Sequence, residues 1–148
     1  MQKRYICSIL YITNITGDDK LVILKLDFDS EVPIYLQIKN QIIIGIANKE
    51  LQEGDELPSV RGLAEDIGVN MHTVNKSYAL LKDEGYIKID RRKGAIISLN
   101  FSHSNELFEN KLSEDIGIYV AECINRGISL DKLKEKIEEM FNEYEKEG

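Results

Sequence analysis

The spacing of apolar side chains changes period several times along the chain, and each change marks an element. Residues 21–28 (LVILKLDF) are short and rich in branched apolar residues, which predicts a strand. Pro33 suits the first position of a helix. Beyond it, Ile34, Ile38, Ile42 and Ile46 recur at steps of four on one helical face. Ile43 and Ile44 add a second apolar edge, so this helix should touch two neighbours. Residues 52–55 (QEGD) read as a turn. Ser59 is a natural N-cap for a short helix from Val60 to about Ile67, with Leu63, Ala64 and Ile67 inward and Gly68 as its left-handed stop. Asn70 caps the next helix, which runs from Met71 to about Glu84 with Val74, Ser77, Tyr78 and Leu81 inward. Gly85 ends it.

Residues 86–90 (YIKID) alternate, which predicts isoleucines inward and lysine outward. Arg91, Arg92, Lys93 and Gly94 form a basic turn, and residues 95–99 (AIISL) complete a β-hairpin. From Ser104 the pattern is helical again. Leu112, Ile116, Tyr119 and Cys123 make one stripe; residues 126–129 (RGIS) break and recap the chain; Leu130, Leu133, Ile137, Met140 and Tyr144 make another. Two amphipathic helices joined by a short turn form a helical hairpin. The fold class is therefore α+β, mainly α: a winged helix-turn-helix over residues 21–100, then a C-terminal two-helix hairpin over residues 101–148. Residues 1–20 are an extension, either an extra strand or a disordered segment.

Composition narrows the class. The chain has 148 residues, of which 43% are hydrophobic and 30% charged, the balance of a soluble globular protein. Lys3 and Arg4 before a short apolar run mimic a signal peptide, but the run holds polar residues and lacks a small-residue cleavage site. It is also far below the roughly 20 residues of a membrane span, so a cytoplasmic protein without membrane contact is expected. Cys7 and Cys123 are too far apart and too few for a disulfide framework or a zinc site. The net charge of −7 argues at first against nucleic acid. Its distribution reverses that: residues 101–148 carry twelve acidic and six basic side chains, whereas residues 59–100 carry five and seven.

In a winged helix-turn-helix the second helix of the pair enters the major groove and its N-terminal residues meet base edges. Met71, His72, Asn75 and Lys76 lie opposite the inward stripe and are candidate DNA contacts, with Asn70 and Thr73 beside them. Asn75 can pair bidentately with adenine, Lys76 can reach guanine or a phosphate, and these two are expected to read bases while Arg61 and the tip residues Arg91, Arg92 and Lys93 mainly anchor the backbone. Arg61 can reach a phosphate from the first helix, and Ser59 with the free N–H groups beside it makes an anion site. Arg91, Arg92, Lys93 and Gly94 at the hairpin tip face phosphates or the minor groove. Tyr78, on the inward stripe, is read as core packing.

The stretch LPSVRGLAEDIGVNMHTVNKSYALLKDEGYI resembles the signature of the GntR family of bacterial regulators. The preceding LDFDSEVPIYLQI and the short two-helix tail resemble its YtrA-like subfamily. The resemblance spans residues 26–98 closely, and the tail in length and pattern. It implies a homodimer on double-stranded operator DNA, usually a repressor of its own operon and of adjacent transporter genes. It also implies a DNA contact for Arg61. Some members carry arginines where Met71 and Asn75 stand, and YtrA-like members often have Pro-Asn in place of Met71-His72, so the operator sequence does not carry over. About 45 residues after the wing are too few for a large effector domain, and a small-molecule effector is left unassigned.

Two other classes compete with this reading. A winged helix used for protein contact without DNA is compatible with the acidic total charge. An enzyme fragment is disfavoured, because no catalytic pair, phosphate-cradling glycine loop, metal set or cofactor lysine is present, and no cofactor is expected. The dimer contacts are expected on Leu112, Ile116, Tyr119, Cys123, Leu133, Ile137, Met140 and Tyr144, and residues 1–20 are expected to be dispensable for DNA binding.

Overall fold

The computed structural model describes residues 5–13 and 16–146. Strands β1 (Tyr5–Thr13) and β2 (Asp19–Asp27) form an antiparallel hairpin with Tyr5 opposite Asp27 and Thr13 opposite Asp19. Alternation decides the faces of β2: Val22, Leu24 and Leu26 are buried, while Leu21, Ile23 and Lys25 point outward. The hairpin is tied to the core. Ile12 is fully buried within it, and Lys20 forms an ion pair with Asp55, itself buried. Of the two alternatives for the extension, residues 5–13 take the strand.

Helix α1 (Ile34–Ala47) starts one residue later than Pro33 suggests. Pro33 occupies the N-cap instead, with φ −55° and an extended ψ of 144°, and its carbonyl accepts from the Leu36 and Gln37 N–H groups. Two glutamines one turn apart join α1 to β2. The Gln37 side chain accepts from the Asp27 N–H and donates to the Asp27 carbonyl, both at 2.8 Å. Gln41 does the same to Lys25, accepting from its N–H at 2.7 Å. Four helical residues rise about 6 Å and two strand residues about 6.8 Å, so the spacings match and the helix satisfies the strand's open edge.

Helices α2 (Val60–Ile67) and α3 (Met71–Asp83) form the helix-turn-helix. The expected caps are all in place. The Ser59 hydroxyl accepts from the Gly62 N–H at 3.0 Å, Gly68 takes φ 71° and ψ 37°, and the Asn70 side chain accepts from the His72 N–H at 2.8 Å. Strands β3 (Ile87–Asp90) and β4 (Gly94–Ile97) are the wing. Residues 54–57 run along the other side of β4, through Gly54 N–H to the Ile97 carbonyl (2.9 Å), Ile97 N–H to the Asp55 carbonyl (2.9 Å) and Leu57 N–H to the Ala95 carbonyl (2.8 Å). Ala95, Ile96 and Ile97 are consequently all buried. The expectation that both isoleucines of β3 face inward is corrected at Ile89. Ile87 is buried but Ile89 is 56% exposed, paired with the small Ala95 one residue from the tip turn.

Helices α4 (Asn105–Asn125) and α5 (Leu130–Lys146) follow. Gly127, at φ 69°, and the Ile128 N–H bonded to the Cys123 carbonyl close α4; the Ser129 hydroxyl accepts from the Lys132 N–H and opens α5. The joint to the winged domain is tight. The Asn100 N–H donates to the Gly85 carbonyl at 2.9 Å, the Ser104 hydroxyl donates to the Glu84 carbonyl at 2.8 Å, and Tyr86 meets Phe101 edge-on with centroids 5.0 Å apart. Beyond this joint, no α4 residue is buried. Leu107, Phe108, Ile118, Val120 and Ile124 are exposed alongside the Leu112, Ile116 and Tyr119 stripe, so the apolar surface of α4 is wider than one stripe.

Candidate nucleic-acid interface

The segment 54–59 holds the three parts of the interface together. Leu57 bonds to β4 of the wing, Ser59 caps α2, and the Tyr78 hydroxyl of α3 donates to the Pro58 carbonyl at 2.8 Å. Tyr78 is buried, and burial pushes its phenol well above its ordinary value of 10.0. It therefore stays a neutral donor and sets the distance between the recognition helix and the start of α2. This accords with its reading as a core residue.

On α3 the inward stripe is the expected one: Val74, Ser77, Tyr78 and Leu81 are buried. Met71, His72, Asn75 and Lys76 are exposed on the other side, and Thr73 is half-buried between them. Met71 is 49% exposed at the helix start, an apolar side chain half open to water. Asn75 is exposed, and its amide carries the donor and the acceptor that bidentate pairing with a base requires. Lys76 does not stand free, because its ammonium sits 3.9 Å from the centroid of the Tyr35 ring on α1.

Around the recognition helix, the cations are partly engaged. Arg61 Nε is 3.0 Å from Glu65 Oε1, one turn on, with both side chains mostly exposed. Such a surface pair is worth little, and a phosphate can replace it. Lys93 lies 3.1 Å from Glu56 and leans toward the base of the wing. Arg91 and Arg92 are exposed at the tip. The turn carrying them is built by Asp90, whose Oδ1 accepts from the Arg92 N–H at 2.8 Å and the Lys93 N–H at 2.9 Å. These bonds, aided by nearby Lys93 and Lys88, hold the Asp90 carboxyl below its ordinary value of 3.8. Gly94, at φ 79°, completes the turn.

Sequence reasoning missed Tyr35, Glu56, Glu65 and Asp90. A local signal existed for two of them: Glu65 stands four residues after Arg61 on one helix face, and an Asp opening a glycine-closed turn caps it. Tyr35 and Glu56 are joined to their partners only by tertiary structure.

Residues 34–97 match the model of the bacterial regulatory proteins of the gntR family. The chain is 33% identical over 110 residues to the HTH-type transcriptional regulator YhcF of Bacillus subtilis, an alignment covering 74% of this chain and 91% of that protein. The chain belongs to the GntR family. It is 36% identical over 120 residues to the HTH-type transcriptional repressor YtrA of Bacillus subtilis, covering 79% and 91% of the two chains. The solved structure of YtrA from Sulfolobus acidocaldarius superposes with a TM-score of 0.56 at 44% identity, over 66% of this chain and 97% of that one. This GntR protein is thus a YtrA-like, DNA-binding transcription regulator with a winged helix-turn-helix and C-terminal helices. A winged helix that serves protein contact alone is not favoured. Among the described residues, no helix is long and apolar enough to cross a membrane.

Proposed function

We propose that the chain is a cytoplasmic homodimeric repressor that binds a pseudo-palindromic operator and controls its own operon with adjacent transporter genes. The observation that carries the dimer is the bare apolar surface of α4 and α5. Leu112, Ile116, Tyr119, Ile137 and Met140 are exposed, and Cys123, Leu133 and Tyr144 only half-covered. A second copy would bury these stripes, and twofold symmetry is the commonest arrangement. Two recognition helices related by that axis meet half-sites about one helical turn apart or a multiple of it.

Within each half-site, Met71, His72 and Asn75 face the bases, with Asn70 and Thr73 beside them. Ser59, Arg61, Arg91, Arg92, Lys93 and the Gly94 turn anchor the backbone. The test is binding to single-base variants of an operator selected from random DNA, at several salt concentrations. Asn75→Ala should cost on the order of 1–3 kcal/mol and relax the preference at one base pair per half-site. Arg92→Ala should weaken all sequences alike and lower the salt slope by about one. The reverse outcome would make the wing the reader.

A further inference from the structure

Lys76 sits on the recognition helix with its charge in an unexpected place. From the second turn of α3 its side chain does not extend along the groove-facing crest but crosses to α1, where the ammonium lies over the Tyr35 ring at 3.9 Å. That is well within the roughly 6 Å at which a ring face attracts a cation. Among the described residues no carboxylate competes for it, since no ion pair within 4.0 Å includes Lys76. Tyr35 is the second residue of α1, and its ring is half-buried, so it is itself held. An exposed lysine otherwise samples many rotamers, and fixing one costs entropy when DNA binds.

We propose that Tyr35 is a positioning residue of the DNA interface. It holds Lys76 on the shoulder between α3 and α1, so that Lys76 contacts a phosphate and not a base edge. This rests on the DNA-binding reading above. A cation on the shoulder of a helix inserted in the groove faces the backbone beside it, whereas base edges meet the residues on the crest near the helix start. Base reading then falls to Met71, His72 and Asn75. The N-terminal end of α1 joins the interface without a charged residue of its own touching DNA.

Three full-length variants test this: Tyr35→Phe, which keeps the ring; Tyr35→Leu, which keeps apolar bulk without it; and Lys76→Met. In the free protein, the Lys76 Cε protons should show a ring-current upfield shift that Tyr35→Phe preserves and Tyr35→Leu abolishes. On the selected operator, Tyr35→Phe should bind like the wild type. Tyr35→Leu should weaken all single-base variants alike, by about fivefold (about 1 kcal/mol), and lower the salt slope by about one. In the Lys76→Met background, Tyr35→Leu should add nothing, because a coupled pair is lost only once. Melting curves check that each variant folds, and the ring-current readout with the Tyr35→Phe rescue separates positioning from a structural defect. Equal losses in Tyr35→Phe and Tyr35→Leu would overturn the proposal in favour of a hydroxyl contact to DNA. Additive losses in the double mutant would also overturn it, as would a changed preference at one base pair in Lys76→Met. A wild-type chain that binds no selected DNA would instead overturn the DNA reading, and this proposal with it.

Discussion

The winged domain and the C-terminal helices are built from the same kind of amphipathic helix, yet one closes its apolar faces and the other leaves them open. In α2, Leu63, Ala64 and Ile67 are buried against a core that includes Ile38, Ile42, Leu81 and Ile97. In α4, which is more than twice as long, no residue is buried, and Leu107 and Ile124 are 75% and 72% exposed. The number of elements around each helix makes the difference. Among the described residues, α2 packs against α3 and β1, whereas α4 is tied to the winged domain just before its first turn, through Ser104 and the Tyr86–Phe101 pair. Apolar area gains roughly 25 cal/mol per Å² only when something covers it. The winged domain therefore closes its apolar faces within one chain, and the tail keeps the open apolar surface that the proposed dimer would cover.

The contrast breaks most sharply if the tail is removed. Truncation after Asn100 should leave a folded, monomeric winged domain, because its core draws on nothing beyond the joint. Operator affinity should fall by about 10²- to 10⁴-fold, the gain that linking two half-site contacts brings. Sedimentation and operator titration read the two effects separately. A truncated chain that stays dimeric would move the interface elsewhere, to the exposed edge of Ile44 beside Leu21 and Ile23.

The joint between the regions is the next place to press. Gly85 adopts φ 92°, and a Cβ there would stand 2.1 Å from the Asn100 carbonyl oxygen. Neither backbone can yield without losing the bond between Gly85 and Asn100. Gly85→Ala should cost at least about 1–3 kcal/mol and misdirect the start of α4, so that the dimer weakens although no interface residue has changed. A melt together with the dimer dissociation constant checks this. A variant with normal stability would show that the joint is looser than its geometry.

The N-terminal hairpin tests whether the closed region can lose an edge. A chain starting at Leu21 lacks Ile12, whose burial is worth about 1.5–3 kcal/mol, and leaves buried Asp55 without Lys20. It should melt earlier in urea. The operator affinity of the folded fraction should nevertheless match the wild type, because the candidate contacts all lie from Ser59 onward. Unchanged stability would mean that Ile12 adds nothing to the core.

What the sequence disclosed follows the range of the physics involved. Ser59, Gly68 and Asn70 act on backbone groups within three or four residues, so the two caps and the left-handed stop between them were legible and the helix-turn-helix with them. The inward stripe of α3 was legible because one helical period fixes it. Ile89 misled because alternation says which face a residue occupies but not how much of that residue is covered. The wider apolar surface of α4 escaped a search for one stripe, since Leu107, Ile118 and Ile124 lie off it. The Lys76–Tyr35 contact joins residues on two different helices, and no local pattern announces it. For α2 and α3, pattern and packing agree because the covering residues are in the chain; for α4 the pattern names a face that stays open.

The smallest expected effect lies at the wing tip, which resembles the tail in being uncovered. Its turn is held by hydrogen bonds instead of burial: Asp90 Oδ1 takes the Arg92 and Lys93 N–H groups while Arg91 and Arg92 stand in solvent. Those bonds favour the charged carboxylate and keep its value below the ordinary 3.8. The contribution of Asp90 is thus complete above pH 3.8 and is lost as the pH falls through the lower folded-state value. At neutral pH the turn should be insensitive to pH, and in acid the Arg92 and Lys93 amide resonances should shift together along one titration curve with a midpoint below 3.8. Asp90→Ala should produce the loosened turn at neutral pH, with faster exchange of both amides. It should weaken operator binding only slightly and equally for every base variant, since the arginines remain and lose only their orientation. Asp90→Asn, which keeps an acceptor oxygen, should fall between the two. Arg92 and Lys93 amides that do not respond to either substitution would mean that the tip is ordered by β3 and β4 alone.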